Sequence, residues 1–168
     1  MAAIAVVLLS ATSCGLSYMA DPEGVTMGVG LTADGQVQVF VPLCPGQRVS
    51  AVEVREEVVS ATEESPKPPP LLWRATGPVA PYDEGLRFTV LKDVQFATVE
   101  KTFSGSLPSR FGVYVEIGSH REGLPVDRAA IPKAATGTGM LALDNPRIAE
   151  DGVVSEKDLV EYTRRVVC

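Results

Sequence analysis

Few residues of this chain are suited to acid–base catalysis. His120 is the only histidine among 168 residues, which excludes a site built on several imidazoles and leaves one candidate base for a Ser-His-Asp triad. Ser119 precedes it directly, but adjacency in sequence does not place a hydroxyl on an imidazole, and the chain lacks the Gly-x-Ser-x-Gly turn that exposes a nucleophilic serine. Because Gly118 and Gly123 flank this segment, we expect His120 to lie in a solvated turn.

Adjacent carboxylates are the second candidate for catalysis. They occur as Glu56-Glu57, Glu63-Glu64, Asp83-Glu84 and Glu150-Asp151. Two carboxyl groups about 5 to 9.5 Å apart can cleave a glycosidic bond, so a hydrolase that uses loop carboxylates is an alternative function. Neighbouring carboxylates in an acidic chain more often form a solvated face, and we therefore assign no catalytic residue.

The composition also limits the partners. The formal net charge is −6, whereas binding to nucleic acid depends on clustered Lys and Arg, so we predict no nucleic-acid partner. The glycines in Thr136-Gly137-Thr138-Gly139 lack the lysine of a phosphate-binding loop. No Asp-x-Asp-x-Asp-Gly loop for calcium is present. The sequence predicts neither a cofactor nor a metal site.

The first fourteen residues carry the clearest functional signal. Residues 2–9 are an unbroken apolar run, small residues lead from it to Cys14, and nothing is charged before Asp21. This run is too short for a transmembrane helix, which needs about 20 apolar residues, but it matches the apolar core of an export signal. The alternative is a buried first strand with Cys14 as a core cysteine.

The tetrapeptide Ala11-Thr12-Ser13-Cys14 resembles the lipobox of bacterial lipoproteins. The resemblance implies that the Cys14 thiol receives a diacylglyceryl group and that residues 1–13 are removed as a signal peptide. Residues 14–24 would then be a lipidated tether and residues 25–168 a single domain. The expected location is the extracytoplasmic face of the bacterial cell membrane, with the membrane as one partner through the lipid on Cys14.

The chain has three cysteines, which is an odd number for an exported protein. If Cys14 is lipidated as the resemblance implies, Cys44 and Cys168 remain, and we expect them to form a disulfide bond in an oxidising compartment. The alternative is two free thiols in a cytosolic protein that is not processed.

Residues with the period of a β-strand dominate the rest of the chain. Apolar residues alternate with polar ones over residues 25–32 and 36–43, with a turn at Ala33-Asp34-Gly35, which predicts a β-hairpin. A third strand with Val52 and Val54 inward and Glu53, Arg55 and Glu57 in water should complete a meander. Trp73 should lie in a core strand, and further strands are predicted around Leu86, Val94–Phe103 and Arg110–Ile117, with weaker candidates at 126–131 and 140–143.

The end of the chain has a different pattern. Ser155 and Asp158 have the spacing of a capping box, and Leu159, Tyr162 and Val166 share one face of a helix. We therefore predict a mainly β fold: an antiparallel sandwich of seven to nine strands with one C-terminal helix, or else a small barrel. The predicted function is a non-catalytic binding or accessory domain on a membrane anchor, with an envelope protein or a small ligand as its partner.

Overall fold

The computed structural model describes residues 24–57, 68–80, 84–131, 139–141 and 153–168. Several predictions fall outside these ranges. They are the signal peptide and the strand alternative for it, Cys14, Glu63-Glu64, Asp83, Thr136 to Thr138, and Glu150-Asp151.

Ten strands and one α-helix form within the described residues. The strands are β1 Gly28–Leu31, β2 Val37–Pro42, β3 Val49–Glu56, β4 Leu71–Pro78, β5 Gly85–Thr89, β6 Phe96–Lys101, β7 Arg110–Ile117, β8 His120–Asp127, β9 Gly139–Leu141 and β10 Val153–Ser155. Helix α1 is Glu156–Val166. Short 3₁₀ turns at Asp93–Gln95 and Arg128–Ala130 precede β6 and follow β8.

The strands form two antiparallel sheets of five strands each. Sheet I has the order β10-β9-β1-β2-β5, and sheet II has the order β6-β4-β3-β7-β8. This arrangement confirms the predicted sandwich, although the described strands number ten rather than seven to nine. The predicted three-strand meander is wrong, because β2 pairs with β5 and the chain enters sheet II at β3.

Alternation of apolar residues along the strands builds the core between the sheets. In β7, Phe111, Val113 and Val115 are fully buried, while the residues between them face away from the core. Trp73 in β4 is also fully buried, and its ring meets Phe96 edge to face with centroids 5.2 Å apart. Its indole N–H donates to Asp93 Oδ1 at 2.8 Å, so burial of the ring leaves no polar group unpaired.

Strand β8 corrects the prediction of a turn around His120. Only Gly118 and Ser119 form the turn, and β8 begins at His120, which pairs with Ile117 of β7. Gly118 takes a φ of +60°, a conformation that glycine adopts without strain. His120 is therefore an exposed strand residue rather than a turn residue.

Helix α1 lies on the outer face of sheet I. The predicted capping box is present, because Ser155 Oγ accepts the Asp158 N–H and Asp158 Oδ2 accepts the Ser155 N–H. Its buried residues form a small second core with the sheet, whose members are Phe40, Val154, Leu159 and Val160. Tyr162 is buried as predicted, whereas Val166 is 42 % exposed, because the helix face turns toward Val160 and Thr163 instead.

Candidate functional site

The two cysteines predicted to pair lie at bonding distance. Their sulfur atoms are 2.05 Å apart, and the bond joins positions separated by 124 residues. Cys44 lies in a turn whose shape depends on Gly46 at φ +83° and on Gln47, which accepts the Cys44 N–H through Oε1 at 2.9 Å. Since Cys168 lies two residues beyond the last residue of α1, the bond ties the end of the helix to the segment that links the two sheets.

His120 lines a pocket of about 230 Å³ near the first described residue, Gly24. Among the described residues of its lining, Glu122 supplies the one carboxylate, and there is no serine or cysteine. The structure therefore places no nucleophile of the described chain beside the imidazole in this pocket, and Ser119 is not one of the lining residues.

Two described members of the acidic pairs, Glu57 and Glu84, are paired with arginines. Glu57 binds Arg110, with Oε2 and Nε 3.0 Å apart. Glu84 binds Arg164 of α1, with Oε1 and Nη2 3.0 Å apart. Neither carboxylate lines the pocket beside His120, so these contacts assemble no pair of carboxylates across a cleft.

The outer face of sheet II carries a set of polar side chains that the sequence did not single out. We call it the sheet II platform and define it by Glu53, Arg55, Arg74, Tyr114 and Arg121. Strand register explains why these residues meet. Glu53 on the central strand β3 is paired with Arg74 on one side and with Tyr114 on the other, and Tyr114 is paired in turn with β8.

Glu53 is the centre of the platform. It was predicted to face water, and this is wrong: it points away from the core, yet is only 5 % exposed, because arginine side chains cover it. Arg55 Nε lies 2.8 Å from Glu53 Oε2, and Arg74 and Arg121 also donate to its two carboxylate oxygens. Three cations thus surround one carboxylate.

This environment keeps Glu53 charged. Burial raises the pKa of Glu53, but the hydrogen bond from Arg55 and the charges of Arg121, Arg55 and Arg74 outweigh it, and the net pKa is lower than usual. Arg74 extends the network outward, since its Nη1 lies 3.0 Å from Glu116 Oε1 and its Nε lies 2.8 Å from Glu100 Oε2.

Tyr114 lies flat on the sheet between two glycines. A Cβ atom built on Gly112 would come within 2.7 Å of the tyrosine ring, and one built on Gly123 within 2.8 Å. The guanidinium of Arg121 lies over the ring, with its Cζ 4.7 Å from the centroid. The ring is therefore held by close packing against the two glycines and by a cation–π contact.

The platform combines the side-chain types that are common at protein-binding surfaces. Arginine and tyrosine are enriched where proteins bind each other, and these side chains are already ordered. The signals in the sequence were weak: Glu53 and Arg55 alternate with valines, and Gly112 precedes Tyr114 by two residues. Arg74 and Arg121 lie 21 and 68 residues from Glu53, a separation that local patterns do not bridge.

In the described part of the chain, no group of three or more His, Cys, Asp or Glu is arranged to hold a metal ion. No helix among the same residues has the length and apolar character that crossing a membrane requires. Comparison of the chain with protein-family models, curated proteins and solved structures finds no match.

Proposed function

We propose that this chain is a bacterial lipoprotein whose β-sandwich binds a protein of the cell envelope through the sheet II platform. Lipid on Cys14 would hold it on the extracytoplasmic face of the membrane. The cysteine count supports the anchor: with Cys44 and Cys168 in one bond, Cys14 is the third cysteine of three and the one at the end of the lipobox-like segment.

The position of Gly24 supports a short tether. Gly24 lines the same pocket as Val167 and Gln47, so the described domain begins beside the Cys44–Cys168 bond. Nine residues lie between Cys14 and Gly24, and the ten residue steps reach at most roughly 35 Å when fully extended. A protein anchored at Cys14 would therefore meet partners close to the membrane surface.

The platform is the single observation that carries the binding role. Its side chains are fixed before any partner arrives, which lowers the entropic cost of association. Arg121 remains 43 % exposed and Glu116 35 % exposed, so both charges are accessible at its edge. The partner surface that fits is one with an acidic and a basic group flanking an apolar group that can cover Tyr114.

The anchor is tested by the intact mass of the protein recovered from bacterial membranes. We expect loss of residues 1–13, added mass from acyl chains, and two hydrogens fewer than the reduced chain because of the Cys44–Cys168 bond. A Cys14→Ala variant is the matched control and should leave the membrane fraction without lipid. A full-length wild-type chain without lipid in the soluble fraction would exclude the anchor.

The binding surface is tested by a photo-crosslinking amino acid placed at one of two exposed positions in cells. Thr98 of β6 is paired with Thr76 of β4 and lies on the same outer face of sheet II as the platform. Lys157 lies on α1, on the other sheet. We expect a discrete crosslinked protein from position 98 and none from position 157. Arg121→Gln should remove the product; equal products from both positions would contradict the proposed surface.

A further inference from the structure

A second pocket of about 360 Å³ lies away from the platform. It is formed where the β1–β2 turn, the segment after β5, the loop before β7 and the 3₁₀ turn after β8 come together. Four apolar and two cationic side chains define its character: Val37, Val90, Leu91, Leu107, Lys92 and Arg128. Its volume is within the range of sites for small molecules, about 300 to 1,000 Å³.

The wall of this pocket is continuous with the core of the sandwich. Val37 and Val90 are 3 % and 8 % exposed and belong to the main apolar cluster. Leu91 and Leu107 are half-buried and pack against that cluster. An aliphatic chain placed here would therefore extend the existing core and lose contact with water.

Leu91 holds an unusual backbone conformation at this wall. Its φ is +65°, and among the described residues it is the one residue other than glycine with a positive φ. It is the third residue of a turn closed by the Lys92 N–H and the Thr89 carbonyl, 3.2 Å apart, a position that glycine fills without strain. A leucine here keeps an apolar side chain at the pocket despite the backbone cost, and such strain often marks a binding site.

The two cations of the pocket make no direct polar contact within the described residues. Lys92 acts on one of the described carboxylates at longer range, because the pKa of Asp34 is lowered mainly by the hydrogen bond from Thr32 and to a smaller extent by the charge of Lys92. Within the described residues, the side chains of Lys92 and Arg128 form no hydrogen bond or ion pair, and no carboxylate lines the pocket. The carboxylates closest to these cations already accept other hydrogen bonds. Asp93, which follows Lys92, accepts the Trp73 indole N–H at 2.8 Å. Asp127 Oδ1 accepts the Ala129 N–H at 2.9 Å, and Asp34 Oδ1 accepts the Thr32 hydroxyl at 2.5 Å.

We propose that this pocket binds a small amphipathic anion, an unbranched aliphatic chain that ends in a carboxylate. The chain would lie against Leu91 and Leu107, and the carboxylate would accept hydrogen bonds from Lys92 and Arg128, whose guanidinium can bind both of its oxygens. This site is independent of the protein-binding role assigned to sheet II, so either can fail without the other.

Octanoate is the probe that tests the pocket, by calorimetric titration of the full chain carrying Cys14→Ala, which keeps lipid and detergent out of the measurement. We expect saturable binding of octanoate at millimolar concentrations or below. Octanamide, which has the same length without the charge, should bind at least 5-fold more weakly, and acetate should not bind. Lys92→Gln and Arg128→Gln should each weaken octanoate binding about 3- to 10-fold.

Arg165→Gln is the matched control, because Arg165 is an exposed arginine on α1, and it should leave the affinity unchanged. Leu91→Gly tests whether Leu91 contacts the ligand or serves only the fold. If it contacts the ligand, the variant should bind octanoate more weakly while still unfolding cooperatively. The proposal is overturned if octanoate fails to bind, if octanamide binds equally well, or if Lys92→Gln/Arg128→Gln retains the wild-type affinity.

Discussion

The outer face of sheet I lies against helix α1, whereas the outer face of sheet II is covered by its own polar side chains. On sheet I, Phe40 and Val154 pack against Leu159 and Val160, and the Cys44–Cys168 bond closes the end of the helix. On sheet II, Glu53 is covered by arginines and Tyr114 lies on glycines. Helix α1 covers the outer face of sheet I, whereas the outer face of sheet II carries a network of polar side chains.

The outer faces of the two sheets are stabilised by different kinds of interaction. Apolar burial and a covalent bond do not depend on pH or on a partner. A buried carboxylate among three guanidinium groups is costly to desolvate, and its stability depends on every member of the network. Sheet I should therefore tolerate loss of an exposed ion pair but not of its bond, and sheet II should be sensitive to the loss of one central charge.

The largest effect should follow loss of the bond that closes α1 onto the domain. We expect Cys44→Ser/Cys168→Ser to lower the free energy of unfolding by about 4 kcal/mol, because the bond closes a loop of more than a hundred residues in the unfolded chain. Urea denaturation measures the loss. Amide hydrogen exchange should show that α1 opens more readily than β7.

The matched control for this experiment is Arg164→Gln, which removes the exposed ion pair between α1 and Glu84 and should cost less than about 1 kcal/mol. If α1 and β7 lost protection equally in the cysteine variant, the bond would stabilise the whole domain without any special role in holding the helix to sheet I.

Glu53→Gln should give the second largest effect, on the other sheet. The amide leaves three arginines without the buried anion that they share, and we expect a loss on the order of 3 kcal/mol in the free energy of unfolding. Glu100→Gln is the control. Glu100 is 46 % exposed and binds only the outer edge of Arg74, so its loss should cost well under 1 kcal/mol. Equal losses would refute a special role of the centre.

The contribution of Glu53 should also depend on pH in a defined direction. Its pKa in the folded protein lies below the ordinary value of 4.5, so the unfolded chain takes up the proton first as the pH falls. The stabilisation is complete above pH 4.5 and is lost as the pH falls through the lowered folded pKa. The difference in stability between wild type and Glu53→Gln should therefore shrink in acid, and a constant difference would contradict the assignment.

One substitution made on both outer faces compares their rigidity directly. A Cβ at Gly85 of sheet I would lie 2.6 Å from the backbone oxygen of Val41 and 2.6 Å from the Phe40 ring, which is held under α1. The three atoms nearest to a Cβ at Gly123 of sheet II all belong to the ring of Tyr114, a half-buried side chain that can shift together with the exposed Arg121. We expect Gly85→Ala to cost about 2 to 3 kcal/mol and Gly123→Ala about 1 kcal/mol.

Urea denaturation of the two variants in parallel provides the measurement. If Gly123→Ala proved as costly as Gly85→Ala, the Tyr114 ring would be fixed as firmly as the buried Phe40 ring, and the two faces would not differ in rigidity.

The fold class was predictable because one face of each strand had to be apolar. Strand β7 matches its predicted range, Arg110–Ile117, since four inward residues are apolar. Strand β8 was missed around His120 because it is an edge strand of sheet II and needs only Leu124 and Val126 in the core. The sheet that β3 joins was not predictable, because the short turn after Cys44 allows both a hairpin and a crossing.

The platform was not predictable for a different reason. The alternation of apolar and polar residues along β3 correctly placed Glu53 on the side away from the core. Its burial, however, depends on Arg74 and Arg121, which reach it only after β4 and β8 have paired in register. A local pattern reports which side of a strand a residue occupies, and it does not report which residues of other strands will cover it.

The smallest predicted effect tests whether α1 is stabilised by its own sequence or only by sheet I. Ser155→Ala removes the capping box and should cost about 1 kcal/mol, because the hydroxyl satisfies the Asp158 N–H at 3.2 Å at the first turn. The same change in the Cys44→Ser/Cys168→Ser background provides the comparison. If the cap and the bond act independently, the two losses add within about 0.5 kcal/mol. A cap that costs nothing once the bond is absent would show that the first turn is ordered only when the end of the helix is held on the sheet, so that the covalent bond would control the whole outer layer of sheet I.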